Sequence, residues 1–208
     1  MEILNKISEY VVDGEIGEIM DAVQEALDGG VAAKDVLNEG LLVGMSKVGD
    51  LFKEGEMFVP EVLISAKTME TGMSLIKPLL VSGDIEIKGK ILMATVKGDL
   101  HDIGKKLVCM MLEGAGFEIK DLGVDVSPEA ICEGVKEYQP DLVGMSAMLT
   151  TTMLSMKDTV EALKANGLYN GVKVMIGGAP VNEGYGEEIG AKYSADATGA
   201  VDLAKALV

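Results

Sequence analysis

The sequence predicts an α/β protein in two parts, four helices followed by a doubly wound parallel sheet of five strands. Two observations carry this. Residues 1–85 show helical periodicity and no convincing strand, whereas beyond Gly89 short apolar runs alternate with helical patterns. Such alternation implies a parallel sheet covered on both faces and joined by right-handed crossovers. The expected domains are a helical domain over 1–85 and a sheet domain over 86–208.

The first four helices are expected at 2–12, 16–28, 32–52 and 60–80. Asp13-Gly14, Gly29-Gly30 and the turn at 55–59 separate them. A linker is expected at 81–88, around Ser82-Gly83-Asp84. Three strong apolar runs, at 90–96, 141–145 and 173–176, read as buried strands, and 118–121 and 191–194 as weaker ones. Helices should fill 101–113, 128–138, 151–165, 184–189 and 200–207.

Composition bounds the function. Hydrophobic residues make up 48% of 208 residues, enough for a real core. Aromatics reach only 4% while Met occurs 14 times, which suits surfaces and cores that repack. The formal net charge of −16, with a sequence pI near 4.4, repels phosphate backbones and anionic headgroups. Nucleic-acid and membrane partners are therefore disfavoured. No signal-peptide pattern and no membrane-spanning apolar run is read in the sequence, so a cytoplasmic location is expected. Cys109 and Cys132 have no metal-ligand spacing and read as reduced thiols.

Parallel sheets of this kind bind ligands beyond the carboxyl ends of their strands. Three such stretches stand out: Lys97-Gly98-Asp99-Leu100-His101-Asp102-Ile103-Gly104, Ser146-Ala147-Met148-Leu149-Thr150 and Gly177-Gly178-Ala179-Pro180. His101 is the only histidine. An Asp two residues before it can accept the proton on one ring nitrogen, fixing the tautomer and leaving the other nitrogen for a metal. Ser146 is expected to extend the relay by donating to Asp99. A lone histidine often has only a structural role, and a Ser-Asp-His grouping also suggests a hydrolase. Gly144-Met145-Ser146-Ala147-Met148, however, lacks the second glycine of a nucleophile elbow. Ordinary zinc or iron sites lack a second His or a Cys pair. One histidine suffices when the metal brings its other ligands in a macrocycle. Gly104 and Gly177-Gly178 leave room for a bulky ligand.

Asp99-x-His101-x-x-Gly104, 41 intervening residues to Ser146-x-Met148, then 28 to Gly177-Gly178, resembles the cobalamin-binding signature. The pattern is similar to that of methionine synthase and the small methyltransferase corrinoid proteins, with Met148 where the family has Leu. The segment from Gly44 to Phe52 and on through Met57 to Val62 resembles the four-helix cap that precedes the cobalamin domain in those proteins. The resemblance implies a Rossmann/flavodoxin-like domain that binds cobalamin with its dimethylbenzimidazole tail displaced from cobalt. His101 would be the lower metal ligand, with Asp99 and Ser146 behind it as the catalytic group. Gly98, Asp102, Ile103, Gly104, Met148, Thr150, Gly177 and Gly178 would contact the cofactor. Phe52, Phe58, Val59 and Val62 would cover its upper face.

The implied function is a corrinoid methyl carrier, not a complete enzyme. A substrate-specific methyltransferase would load a methyl group onto cob(I)alamin. A corrinoid-dependent acceptor methyltransferase would pass it to tetrahydrofolate or coenzyme M, with a reductive activase as a further partner. The family's donors include methylamines, methanol, quaternary amines and aryl methyl ethers. The rival reading is a cobalamin-dependent sensor, which would ordinarily carry a basic DNA-binding module; no basic segment is present.

Overall fold

The computed structural model describes residues 2–80 and 87–208. The expected linker at 81–88 thus falls, over 81–86, outside the described residues. The chain divides into two compact units, Met1–Glu86 with Gly114–Gly116, and Ile87–Glu113 with Phe117–Val208.

The first unit is helical: α1 (Glu2–Asp13), α2 (Ile16–Asp28), α3 (Ala33–Asp35), α4 (Leu42–Glu54) and α5 (Val59–Ile76). Apolar residues at i, i+3, i+4 and i+7 give α1 and α2 one buried stripe each, Leu4–Ile7–Ser8–Val11 and Ile19–Ala22–Val23–Ala26. Sequence periodicity predicts one helix over 32–52. Instead Val36–Leu41 is a π-helical segment between α3 and α4. The buried residues here, Val36, Leu37, Gly40, Leu41, Gly44, Met45 and Val48, recur every four positions rather than every 3.6. A wider turn absorbs that excess and keeps them on one face. A Cβ on Gly44 would lie 2.8 Å from the Ser8 carbonyl, so α1 and α4 pack at backbone distance there. Gly55, with φ +76°, ends α4. Pro60 is accepted in the first turn of α5, where no intrahelical amide bond is lost.

The second unit is a five-stranded parallel sheet in the order β2-β1-β3-β4-β5. Its strands are β1 (Lys90–Thr95), β2 (Glu118–Asp121), β3 (Leu142–Ser146), β4 (Lys173–Gly177) and β5 (Lys192–Tyr193). The helices α6 (Ile103–Gly114), α7 (Pro128–Tyr138), α8 (Leu154–Ala165), α9 (Glu183–Ile189) and α10 (Ala197–Leu207) follow them in turn. This is the flavodoxin-like order, and right-handed crossovers place α6 on one face and α7 to α9 on the other. Leu92, Ala94, Val143, Met145, Val174 and Ile176 pack in one core with Ile131, Val135, Met156, Val160 and Leu163. Cys109 and Cys132 are buried and unpaired, and burial pushes the Cys109 thiol up to about 12. No helix among the described residues is long and apolar enough to cross a membrane.

The strand order reverses between β1 and β3, so the crevice beyond their carboxyl ends is where such a sheet takes its ligand.

Candidate functional site

The loop leaving β1 turns at Gly98, whose φ of +82° only glycine adopts easily. It closes with the Asp99 N–H donating to the Val96 carbonyl at 3.1 Å. Helix α6 starts at Ile103, two residues later than periodicity predicts, so His101 stands before it on the loop. The Thr95 hydroxyl holds the His101 carbonyl at 3.0 Å.

Asp99 has 1% exposure, yet its carboxylate is fully engaged. One oxygen accepts from the His101 amide at 3.0 Å and faces His101 Nδ1 at 2.8 Å. The other accepts from the Met148 amide at 2.7 Å and the Thr152 hydroxyl at 2.6 Å. Burial alone would raise this carboxyl; the hydrogen bonds from Met148, Thr152 and His101 outweigh it and hold Asp99 below the usual carboxylate range. An ionised Asp99 accepts a hydrogen bond from Nδ1–H, the tautomer in which the free lone pair lies on Nε2. The His101 side chain is 57% exposed.

The third member of the relay differs from expectation. Ser146 is not among the residues that bond Asp99; it ends β3, paired in register with Thr95. Thr152, six residues on, donates instead, while its oxygen accepts from the Leu149 amide at 3.3 Å. A turn over 149–153 precedes α8, which starts at Leu154 rather than at 151, and this turn carries Thr152 to Asp99. The run Thr150-Thr151-Thr152 was the only hint available in sequence, and choosing among the three needs the turn's conformation.

Apolar side chains are exposed on the loops that carry His101 and its partners. Leu100 is 71% and Ile103 77% exposed, and Met148, Leu149 and Leu154 are exposed as well. An exposed apolar patch of this kind around one imidazole marks a binding surface. Gly104 sits in the first turn of α6, where a Cβ would meet nothing within 4 Å. Glycine costs a helix interior about 1 kcal/mol relative to alanine, and no neighbour in the fold requires it here. Gly178 is different: its φ is +121° and a Cβ would lie 1.9 Å from the Ala147 carbonyl. Gly177 approaches the Ser194 carbonyl, and Thr150 is exposed. Asp102 pairs with Lys106 at 2.6 Å on the outer side of α6. Gly178→Ala is therefore expected to cost at least the ~3 kcal/mol at the upper end of ordinary substitutions. Gly104→Ala should leave the apoprotein as stable or more so; thermal melts of both variants check this contrast.

In the helical unit, Phe58 and Val59 are exposed at the start of α5, where the Phe58 amide donates to Glu61 at 2.8 Å. Phe52 is half-buried. Val62 corrects an expectation: it has no exposed surface and belongs to the buried stripe of α5 with Ala66, Met69 and Ile76, so it has no surface to offer a ligand.

Among the described residues no cluster of three or more His, Cys, Asp or Glu is placed to hold a metal ion. The fold and the site thus define a class, a flavodoxin-like domain whose β1–α6 loop presents one exposed histidine at the carboxyl edge of the sheet. The profile of the B12 binding domain matches residues 89–202, and a second profile of the same description matches 3–77. Dimethylamine corrinoid protein 1 of Methanosarcina acetivorans is 40% identical over 209 residues, covering 100% of this chain and 98% of the relative. Trimethylamine corrinoid protein 2 of the same organism is 38% identical, covering 100% and 97%. A chain of the methanol:cobalamin methyltransferase complex of Methanosarcina barkeri superposes with a TM-score of 0.91 at 31% identity, covering 99% of this chain and 79% of that one. A cobalamin-binding protein of Desulfitobacterium hafniense gives 0.79 at 38% identity, covering 99% and 98%. The chain belongs to the B12-binding family of corrinoid proteins, and its cofactor is cobalamin.

Proposed function

We propose that this chain is the methyl-carrying corrinoid subunit of a methyltransferase system, with His101 as the lower ligand of cobalt through Nε2. The observation that carries this is the imidazole itself, held at Nδ1 by buried Asp99 and standing exposed on an apolar platform. Bound cobalamin supplies a cobalt that takes up and gives away a methyl group. The chain's own residues orient and protect that centre. Asp99, held at 2.8 Å from Nδ1, would fix the ring in the tautomer that presents Nε2 to the metal. Thr152, in the place expected of Ser146, completes the hydrogen bonding behind it. Leu100, Ile103 and Met148 offer apolar contact, and Gly98, Asp102 and Gly104 border the ring's approach. Ser146, Thr150, Gly177 and Gly178 form our candidate slot for the dimethylbenzimidazole tail. From the helical unit, Phe58 and Val59, and Phe52 in part, have apolar surface to offer the cofactor.

A methyltransferase loads the carrier, and an acceptor methyltransferase and a reductive activase complete the proposed cycle. Full-length similarity to dimethylamine and trimethylamine corrinoid proteins favours a methylated amine as donor. The test is to reduce the reconstituted chain and add dimethylamine with a dimethylamine-specific methyltransferase. The reading expects the absorption of methylated cobalamin to appear. Loading from methanol with its own methyltransferase, and none from any methylamine, would overturn the donor; loading from neither set would overturn the carrier.

A further inference from the structure

The Asp99–His101 loop is held from three sides, and only two belong to the relay described above. On the β1 side the Thr95 hydroxyl bonds the His101 carbonyl, and on the β3 side Met148 and Thr152 bond Asp99. The third side is the connection that leaves β2. There the Gly98 amide donates to the Asp125 carboxylate at 2.7 Å, and the Asp125 amide donates to the Asp99 carbonyl at 2.9 Å. Asp125 therefore grips the loop on both sides of the peptide that positions Asp99. It does so with φ at +53°, a left-handed conformation that is uncommon outside glycine and that Asp and Asn tolerate best.

The connection is itself anchored. The Thr95 amide bonds the Gly123 carbonyl at 3.0 Å, and the Val126 amide returns to the Thr95 carbonyl at 3.0 Å. Asp121 accepts from the Gly123 amide at 2.9 Å and pairs with Lys105. The Lys105 side chain is only 1% exposed, in the first turn of the helix that follows His101. A buried ammonium is expensive unless paired, so this ion pair ties the start of α6 to the end of β2. The histidine loop lies between the two tied elements.

We propose that Asp125 is a positioning residue for His101, and that residues 121–126 are a brace kept in place by the Lys105–Asp121 pair. This rests on the reading of His101 as cobalt ligand. On that reading the ring would have to return to one place whenever it leaves the metal. The brace confines the loop while the ring is off the metal, and thereby favours rebinding.

The test uses three variants. Asp125→Gly permits the left-handed backbone but removes the acceptor; Asp125→Asn keeps both the conformation and an acceptor oxygen. Lys105→Met keeps the volume and releases Asp121, which retains access to water. In the reconstituted protein, electron paramagnetic resonance of the Co(II) state reads the ratio of histidine-ligated to unligated cobalt. In the cofactor-free protein, hydrogen exchange of the Gly98 amide reads the grip directly. Asp125→Gly should lower the ligation ratio and speed Gly98 exchange about five-fold each, the size of one ordinary hydrogen bond. Asp125→Asn should restore both, and Lys105→Met should move both in the direction of Asp125→Gly. If Asp125→Gly does not fold, Lys105→Met carries the same two measurements. Parent-like ligation and exchange in the folded variant overturn the brace. A parent protein without histidine ligation overturns the assignment of His101 instead, and the exchange measurement still tests the grip.

Discussion

His101→Ala is expected to retain cobalamin at least as poorly as proteins that have lost an outer-shell metal partner, a weakening on the order of 10- to 100-fold. On the proposed ligation the bond removed would be the one that anchors the metal to the chain, so the loss should exceed that of any single apolar contact beside it. The fold should survive. More than half of the ring is exposed, and Asp99 keeps its donors from the His101 amide, Met148 and Thr152. Equilibrium dialysis of cobalamin against the variant, with a thermal melt of the apoprotein, separates lost binding from lost folding. Parent-like retention would remove His101 from the metal.

Asp99→Asn is expected to cost methyl transfer about as much, on the order of 10- to 100-fold, while Ser146→Ala leaves the relay intact. Four donors converge on Asp99, and an amide offers one acceptor oxygen and an N–H group of its own to oppose them. Thr152→Val should fall between the two, since it removes one donor from a buried acceptor. The same carboxylate also shapes the pH dependence of folding. Its folded-state pKa lies below the ordinary 3.8, so its ionised form stabilises the fold at every pH above that value. The contribution is lost as pH falls through the depressed folded value. The stability gap between parent and Asp99→Asn should accordingly be constant at neutral pH and close only in strong acid. Denaturant titrations across the acid range measure it; a gap that closes already near pH 6 would contradict the assignment.

Much of the fold was legible because its signals are local. Strands β1, β3 and β4 are short apolar runs bounded by turn residues; β1 and β4 differ from expectation by one residue at one end, and β3 is shifted by one residue at both. Asp99 and His101 were legible as a pair because a two-residue spacing on a tight loop brings their side chains together. What was missed is tertiary. Thr152 reaches Asp99 only through the turn before α8, and nothing about a threonine in a run of three marks which one is used. Asp125 lies on a different connection from His101, and its grip on Gly98 depends on a left-handed residue that sequence does not announce. The π-helical segment at Val36–Leu41 also escapes, because a four-residue recurrence of small and apolar residues reads as an ordinary helix with glycines in it. Val62 departs from expectation for another reason. Its stripe with Ala66, Met69 and Ile76 is plain helical periodicity, which outweighs its nearness to Phe58.

The central claim is that a histidine nitrogen binds cobalt, and one labelling experiment addresses it. Because His101 is the only histidine, nitrogen-15 supplied as labelled histidine enters the chain at this single position as a ring ligand. Electron paramagnetic resonance of the Co(II) state then identifies the axial nitrogen. The account predicts that the splitting changes from the three lines of nitrogen-14 to the two lines of nitrogen-15 when the protein, and not the cofactor, is labelled. An unchanged three-line pattern would mean that the dimethylbenzimidazole tail still holds the metal, and would contradict it.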